Sequence, residues 1–372
     1  MPDSSPENHL LITDAAELAS WCAAAPPAAT VAFDTEFERQ RTYYAELCLA
    51  QAAVDGRVAC IDPLGMADLA PLGGLLGDPR RRLVMHAARQ DLEVLYQAGV
   101  PCTATLADTQ VAAALAGFHE QIGYADLVLQ LLGYELDKSQ TRTDWRRRPL
   151  SARQLAYAAD DVRHLEAVEA NLRERLAGLG RLHWYAEDCA ALADPALYAP
   201  PVELAWERVK GLAGLAPPAR AGAVALATWR ETRAQSRNLP RNWVLKDAEL
   251  LAIAAAAPAT PGQLAAALPD NPAFVRRHGD EALAIVREAD PALAAQVDVR
   301  PPPDAAARQR IKACAAAVRE RAEGLAIAPA VLLTRREVEQ IVAGQVPERV
   351  AEGWRGEVLA DLVDAYRGTA TS

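Results

Sequence analysis

Residues 31–47 read VAFDTEFERQRTYYAEL, and they decide the fold because an apolar run ends in two acids spaced i and i+2. Val31, Ala32 and Phe33 suit a buried strand, and alternate side chains of a strand share a face. Asp34 and Glu36 therefore project side by side from the sheet. Adjacent carboxylates repel, and each is driven toward its protonated form unless a cation sits between them. A divalent metal is one answer to that repulsion; a solvated strand end is the plainer one.

Strand and helix signals alternate outward from this stretch. TVAFDTEF, ELCLAQAAV, GRVACIDP and RRLVMHAA read as strands, and RQDLEVLYQAG, DTQVAAALAG and the whole of 151–178 as helices. Three strands in quick succession, with a tight turn at Asp55-Gly56, point to an antiparallel meander. Later strands separated by helices point to parallel additions, giving a mixed α/β sheet flanked by helices.

Two proline-rich breaks, DPALYAPPVEL at 194–204 and DVRPPPDAAAR at 298–308, divide the 372-residue chain into three parts. The expected boundaries are 1–193 for the α/β domain, then 203–290 and 303–372 for two small all-helical domains. These two resemble each other. At an offset of 88 residues, Leu239 falls on Ile327, Val244 on Leu332, Leu245 on Leu333, Glu249 on Glu337, Leu250 on Val338 and Ile253 on Ile341. Coinciding apolar positions with drifting surface positions are the mark of duplication. The first copy carries WRETRAQSRNLPRNWVLK, five basic residues and one acid interleaved with Trp229 and Trp243, a composition that suits single-stranded nucleic acid. Packing of both tryptophans in the core is the alternative.

A net charge of −10 argues against non-specific coating of nucleic acid but not against a nuclease with acids at its centre. The six scattered cysteines form no C-x-x-C pair, so they indicate neither a zinc ribbon nor a disulfide framework. No apolar run has membrane-spanning length and MPDSSPENHL is not a signal peptide, so the expected setting is the cytoplasm, without membrane attachment.

Two more acids belong with the first pair. Asp91 follows a strand end and opens a helix, where compensation of the helix dipole is the ordinary explanation. Tyr157 and Asp161, spaced i and i+4, share a helix face. Leu155, Ala158, Val162, Leu165, Glu169, Leu172 and Leu176 define the stripe that packs on the sheet. At about 100° per residue, Asp161 lies about 70° from the middle of that stripe and Asp160 about 170°. Asp161 thus borders a cleft while Asp160 faces solvent. Four carboxylates can hold two divalent ions about 4 Å apart, and hard oxygen donors favour Mg²⁺ or Mn²⁺.

Asp34-x-Glu36, Asp91 and Tyr157-x-x-x-Asp161 resemble the three motifs of the DEDD exonucleases, in their tyrosine branch. FDTEFERQRTYYAELCLAQ, CIDPLG, HAARQDLEVL, LADTQVAAAL and LDKSQTRTDWRRRPLSARQLAYAADDV look like the bacterial ribonuclease D family, and the helical pair resembles its HRDC domains. The resemblance implies a ribonuclease H-like fold and a 3′ to 5′ exoribonuclease that trims transfer RNA precursors and other small structured RNAs; a monomer is expected. It also implies that Asp34 bridges two metals, Glu36 and Asp161 complete one site, Asp91 supports the other and Tyr157 orients the nucleophile. Arg41 and Tyr43, the loop residues Lys138, Trp145 and Arg148, and Arg237 and Arg241 of the first HRDC-like copy are expected along the RNA. The second copy lacks the Arg-Asn-Leu-Pro-Arg stretch, which points to a structural role. A DNA-directed exonuclease and a non-catalytic RNA-binding scaffold are the competing readings.

Overall fold

The computed structural model describes residues 9–66, 68–137, 139–140, 143–299 and 303–368. Among these, one mixed sheet contains β1 (Leu10–Ile12), β2 (Val31–Glu38), β3 (Glu46–Val54), β4 (Arg57–Ile61), β5 (Arg82–Met85) and β6 (Thr105–Asp108). Their spatial order is β1-β4-β3-β2-β5-β6, which puts the acid-bearing β2 inside the sheet. β3 and β4 are antiparallel, with Gln51 opposite Cys60, across a turn in which Asp55 and Gly56 both have positive φ. That is the turn whose twist matches a two-residue hairpin. β5 joins β2 in parallel and β6 joins β5 in parallel, while β1 lies parallel to β4 at the other edge.

The flanking helices are α1 (Ala15–Ala23), α2 (Ala70–Leu76), α3 (Arg89–Gln97), α4 (Thr109–Leu115), α5 (Tyr124–Leu132), α6 (Ala152–Arg163), α7 (Leu165–Gly178) and α8 (Leu182–Leu192). Two features depart from the expected elements. β1 and β6, of three and four residues, are too short for alternation to show. The helix expected over 151–178 breaks at His164, whose φ of −108° is not helical and whose N–H is taken by the Tyr124 hydroxyl at 3.2 Å.

The stripe through α6 and α7 is buried at Ala158, Val162, Leu165, Leu172 and Leu176. Its polar member, Glu169, is buried as well and pairs with Arg82 at 2.9 Å. A lone buried carboxylate would be costly; this one has its cation.

The chain divides into two compact units. One runs to Glu38, resumes over Leu47–Pro195 and includes the chain from Pro303 onward; the other joins Arg39–Glu46 to Ala196–Pro302. The second holds α9 (Pro217–Arg237), α10 (Arg241–Val244), α11 (Asp247–Ala256), α12 (Pro261–Ala267) and α13 (Pro272–Glu288) around Leu226, Leu245, Ile253, Leu264 and Phe274. The last segment of the first unit holds α14 (Ala305–Gly324), α15 (Pro329–Leu332), α16 (Arg335–Val342), α17 (Glu348–Ala351) and α18 (Gly353–Tyr366).

The 88-residue offset survives at the level of backbone geometry. α10 maps onto α15, the start of α11 onto that of α16, and the left-handed residue Asn238 (φ 49°) onto Ala326 (φ 52°). Glu249 and Glu337 each accept the backbone N–H three residues earlier, closing the same helix start. Leu245 and Leu333, Leu250 and Val338, and Ile253 and Ile341 are all buried. No helix among the described residues is long and apolar enough to cross a membrane.

Candidate active site

Val31, Ala32 and Phe33 are buried and anchor β2, so its acids emerge from the middle of an inner strand, just past this apolar run. Asp161 arrives from α6, which a reciprocal Ser151–Gln154 cap starts and which packs on β2 and β4. Asp34, Glu36 and Asp161 each place a carboxylate oxygen within 4.8 Å of the others. Asp91, in the first turn of α3 and 7 % exposed, accepts a 2.5 Å hydrogen bond from the hydroxyl of Thr35. Its charge acts on both Asp34 and Glu36. The structure therefore assembles all four acids.

Tyr157 hydrogen-bonds the Asp161 carboxylate, and its ring lies 6.1 Å from that of Trp145. Asp160 instead turns outward, 40 % exposed and paired with Arg163 at 2.9 Å. Asp160→Asn should accordingly change kcat by less than about threefold, because a surface pair contributes little. A loss matching that of Asp161→Asn in the same assay would reverse the assignment.

Burial is the first cause of the unusual acidity here, and mutual repulsion adds to it. Asp34 is held well above the carboxylate range by burial and then by the charges of Asp91, Asp161 and Glu36. Glu36 is raised to about 8 by burial, Asp161 and Asp91. Asp161 is raised to about 7 by burial and Asp160, against the hydrogen bond from Tyr157. Asp91 rises to about 6 through burial, while the Thr35 hydroxyl pulls it back. A cation would offset this repulsion. All the cluster's donors are hard oxygens, which fits a divalent cation of the magnesium or manganese kind.

The pH consequence has a definite sign. These acids hold more protons in the folded chain than in the unfolded one between about pH 4 and about pH 8, so their contribution to metal-free stability falls as pH rises through that window. A bound divalent ion reverses the penalty. Melting curves at pH 5 and pH 8, with chelator or with Mn²⁺, should show a metal-induced rise in Tm that is small at the lower pH and larger at the higher. An equal rise at both would contradict the linkage.

Residues 10–177 match the 3′-5′ exonuclease family and residues 222–286 match the HRDC domain. A ribonuclease D of Gluconacetobacter diazotrophicus is 40 % identical over 346 residues, covering 89 % of this chain and 86 % of that protein. One from Shewanella is 34 % identical over 360 residues, covering 94 % and 92 %. The crystal structure of Escherichia coli RNase D, an exoribonuclease involved in structured RNA processing, matches with a TM-score of 0.86 at 32 % identity, over 96 % of this chain and 98 % of that one. The chain belongs to the ribonuclease D family. It is a 3′ to 5′ exoribonuclease with the mixed-sheet, ribonuclease H-like catalytic fold of that family.

The expected RNA contacts need correction. Arg148 is consumed internally: it forks onto Asp62 at 2.5 and 2.7 Å and also donates to the carbonyls of Cys48 and Trp145. Trp145 is 5 % exposed, too buried to stack on a base. Tyr43 and Arg241 satisfy each other within the second unit. The Tyr43 hydroxyl donates to Glu231 at 2.5 Å and accepts from Arg241 at 2.9 Å, and the guanidinium sits 4.6 Å from the Tyr43 ring. Arg241 also forks onto Glu231, and Asn238 accepts the N–H groups of Tyr43 and Tyr44. Arg41 and Arg237 are exposed, and Lys138 lies outside the described residues. Trp243 is 61 % exposed, whereas Trp229 packs edge-on against Phe274.

Sequence reasoning missed Thr35 and Tyr124. Thr35 sits between two acids on the opposite strand face and gave no chemical signal. Tyr124 hides in an apolar helix, yet its buried phenol ties down the α6–α7 break and feels Asp161 and Asp34.

Proposed function

We propose that this exoribonuclease removes 3′-terminal nucleotides from transfer RNA precursors and other small structured RNAs in the cytoplasm, as a monomer, releasing nucleoside 5′-monophosphates with two divalent ions. The observation that carries the reading is the convergence of Asp34, Glu36 and Asp161 within 4.8 Å beside Asp91. Asp34 would hold both ions, Glu36 and Asp161 one, and Asp91 the other. Such ions supply a hydroxide nucleophile at neutral pH and neutralise charge on the phosphoryl oxygens.

The chain's own groups do the rest. The Tyr157 hydroxyl, which hydrogen-bonds Asp161, would orient the attacking water. Partial desolvation of the acids strengthens the charge interactions among them. RNA capture falls to the second unit, where Arg41, Arg237 and Trp243 offer cations and an open aromatic face. We read the chain as three modules, 1–193, 203–290 and 303–372, the last two derived by duplication and only the first of them equipped for RNA.

A time course on a 3′-extended transfer RNA precursor, with Mg²⁺, Mn²⁺ or chelator, tests the proposal. Stepwise shortening with mononucleotide release only in metal supports it. Equal trimming of a matched DNA overhang would shift the substrate to DNA, and binding without shortening would make the chain a scaffold.

A further inference from the structure

Asp91 stands outside the trio of acids that converge within 4.8 Å, so its position must be fixed by something other than their shared cation. Two buried groups do this. Thr35, 6 % exposed, donates its hydroxyl to the Asp91 carboxylate. Asp108, 1 % exposed at the end of β6, grips the turn that leads into α3.

The grip is unusually complete. One Asp108 oxygen accepts the N–H groups of Ala87 at 3.1 Å, Gln110 at 2.8 Å and Val111 at 3.4 Å, and the other accepts that of Ala88 at 2.8 Å. A helix cap for α4 would need only the Gln110 and Val111 bonds; the Ala87 and Ala88 bonds reach across to the next segment. Ala87 has φ of 56°, a left-handed conformation that alanine avoids, so the turn stays in place only while something holds it. His86 adds a second hold. Its Nε2 lies 3.0 Å from the Ile122 carbonyl and its Nδ1 2.9 Å from the Thr109 hydroxyl, so both ring nitrogens have partners. Asp91 follows three residues after the clamped Ala88, on a helix whose first bond runs from the Leu92 N–H to the Ala88 carbonyl.

We propose that Thr35 and Asp108 are positioning residues that mount Asp91 for the second divalent cation of the site. The inference rests on the two-ion reading above. Neither residue touches substrate; each acts through the placement of Asp91. The mount explains why an acid distant in sequence from β2 and α6 can serve the same cation cluster without being pushed out of line by the repulsion of its neighbours.

Asp108→Asn keeps the size but gives one side of the clamp an NH₂ where an acceptor is needed. Thr35→Val removes the hydroxyl and keeps the branched shape a strand prefers. Mn²⁺ titration calorimetry of the full chain without RNA should show two binding events in the natural protein. Each variant should weaken the weaker event at least tenfold and leave the tighter within about twofold. Thr35→Ser should restore it, and kcat should recover partly at high Mn²⁺ with KM for RNA unchanged. Two events unaltered in both variants would overturn this inference alone. Loss of both events in step with a fall in Tm would overturn it too, by reducing the pair to structural residues. A natural protein that binds a single ion would overturn the two-ion reading and this inference together.

Discussion

Replacing Asp34 with Asn should lower kcat by roughly a thousandfold or more on a short single-stranded RNA, while RNA affinity stays within about threefold. A metal-held charge position contributes several kcal/mol at the transition state, and about 1.4 kcal/mol is tenfold in rate. Asp34 is the member of the cluster that feels all three other acids, so its loss dissolves the shared site rather than one edge of it. Asparagine keeps the volume but replaces an anionic oxygen with an NH₂ group, which no cation accepts. Misfolding makes the opposite stability prediction. Removing a half-buried, repelled carboxylate should leave metal-free Asp34→Asn at least as stable as the metal-free natural chain at pH 8. Single-turnover cleavage, filter binding and chelator melts on one preparation separate these effects. Undiminished cleavage would remove Asp34 from the chemistry.

The legible parts of this site were those governed by short-range periodicity. The i, i+2 rule placed Asp34 and Glu36 on one face of β2, and the helical wheel separated Asp161 in the cluster from Asp160 on its Arg163 pair. The 88-residue offset foretold two matching helix starts because capping chemistry is local and recurs with the sequence. What stayed hidden depends on partners far along the chain. Arg148 and Trp145 carry the residue types of an RNA contact, but Asp62, 86 positions away, claims the guanidinium and the protein buries the indole. Tyr43 and Arg241 are 198 positions apart and read as two separate RNA ligands until Glu231 joins them. Composition shows which groups can bind nucleic acid; only the fold shows which have already been used.

The last helical segment illustrates the same limit, and it carries the second large effect. Trp354→Ala should destabilise the first unit by about 3–5 kcal/mol, the usual range for deleting a buried aromatic. Trp354 is 1 % exposed and stacks on Trp184 of α8, with ring centroids 4.2 Å apart and planes within 11°. Arg355 caps one side of this stack at 4.2 Å from the Trp354 ring, and Arg181 caps the other at 5.1 Å from Trp184. Asp188 receives the Trp354 indole N–H at 3.1 Å and a fork from Arg355 at 2.5 and 2.9 Å; Glu187 receives the Trp354 backbone N–H at 3.0 Å. Gly353, with φ of 68°, lies so close to the Glu187 carboxylate that any Cβ there would collide with it. Arg181 also ties the two segments by donating to the Leu115 and Leu325 carbonyls. The alanine variant loses the stack and leaves Asp188 facing a gap. At about 2–4 °C per kcal/mol for a unit of this size, Tm should fall by roughly 10 °C. Cleavage of short RNA at 20 °C should persist, since none of these side chains belongs to the acid cluster. A variant that melts within about 2 °C of the natural chain would show that this segment rests on α8 without supporting it.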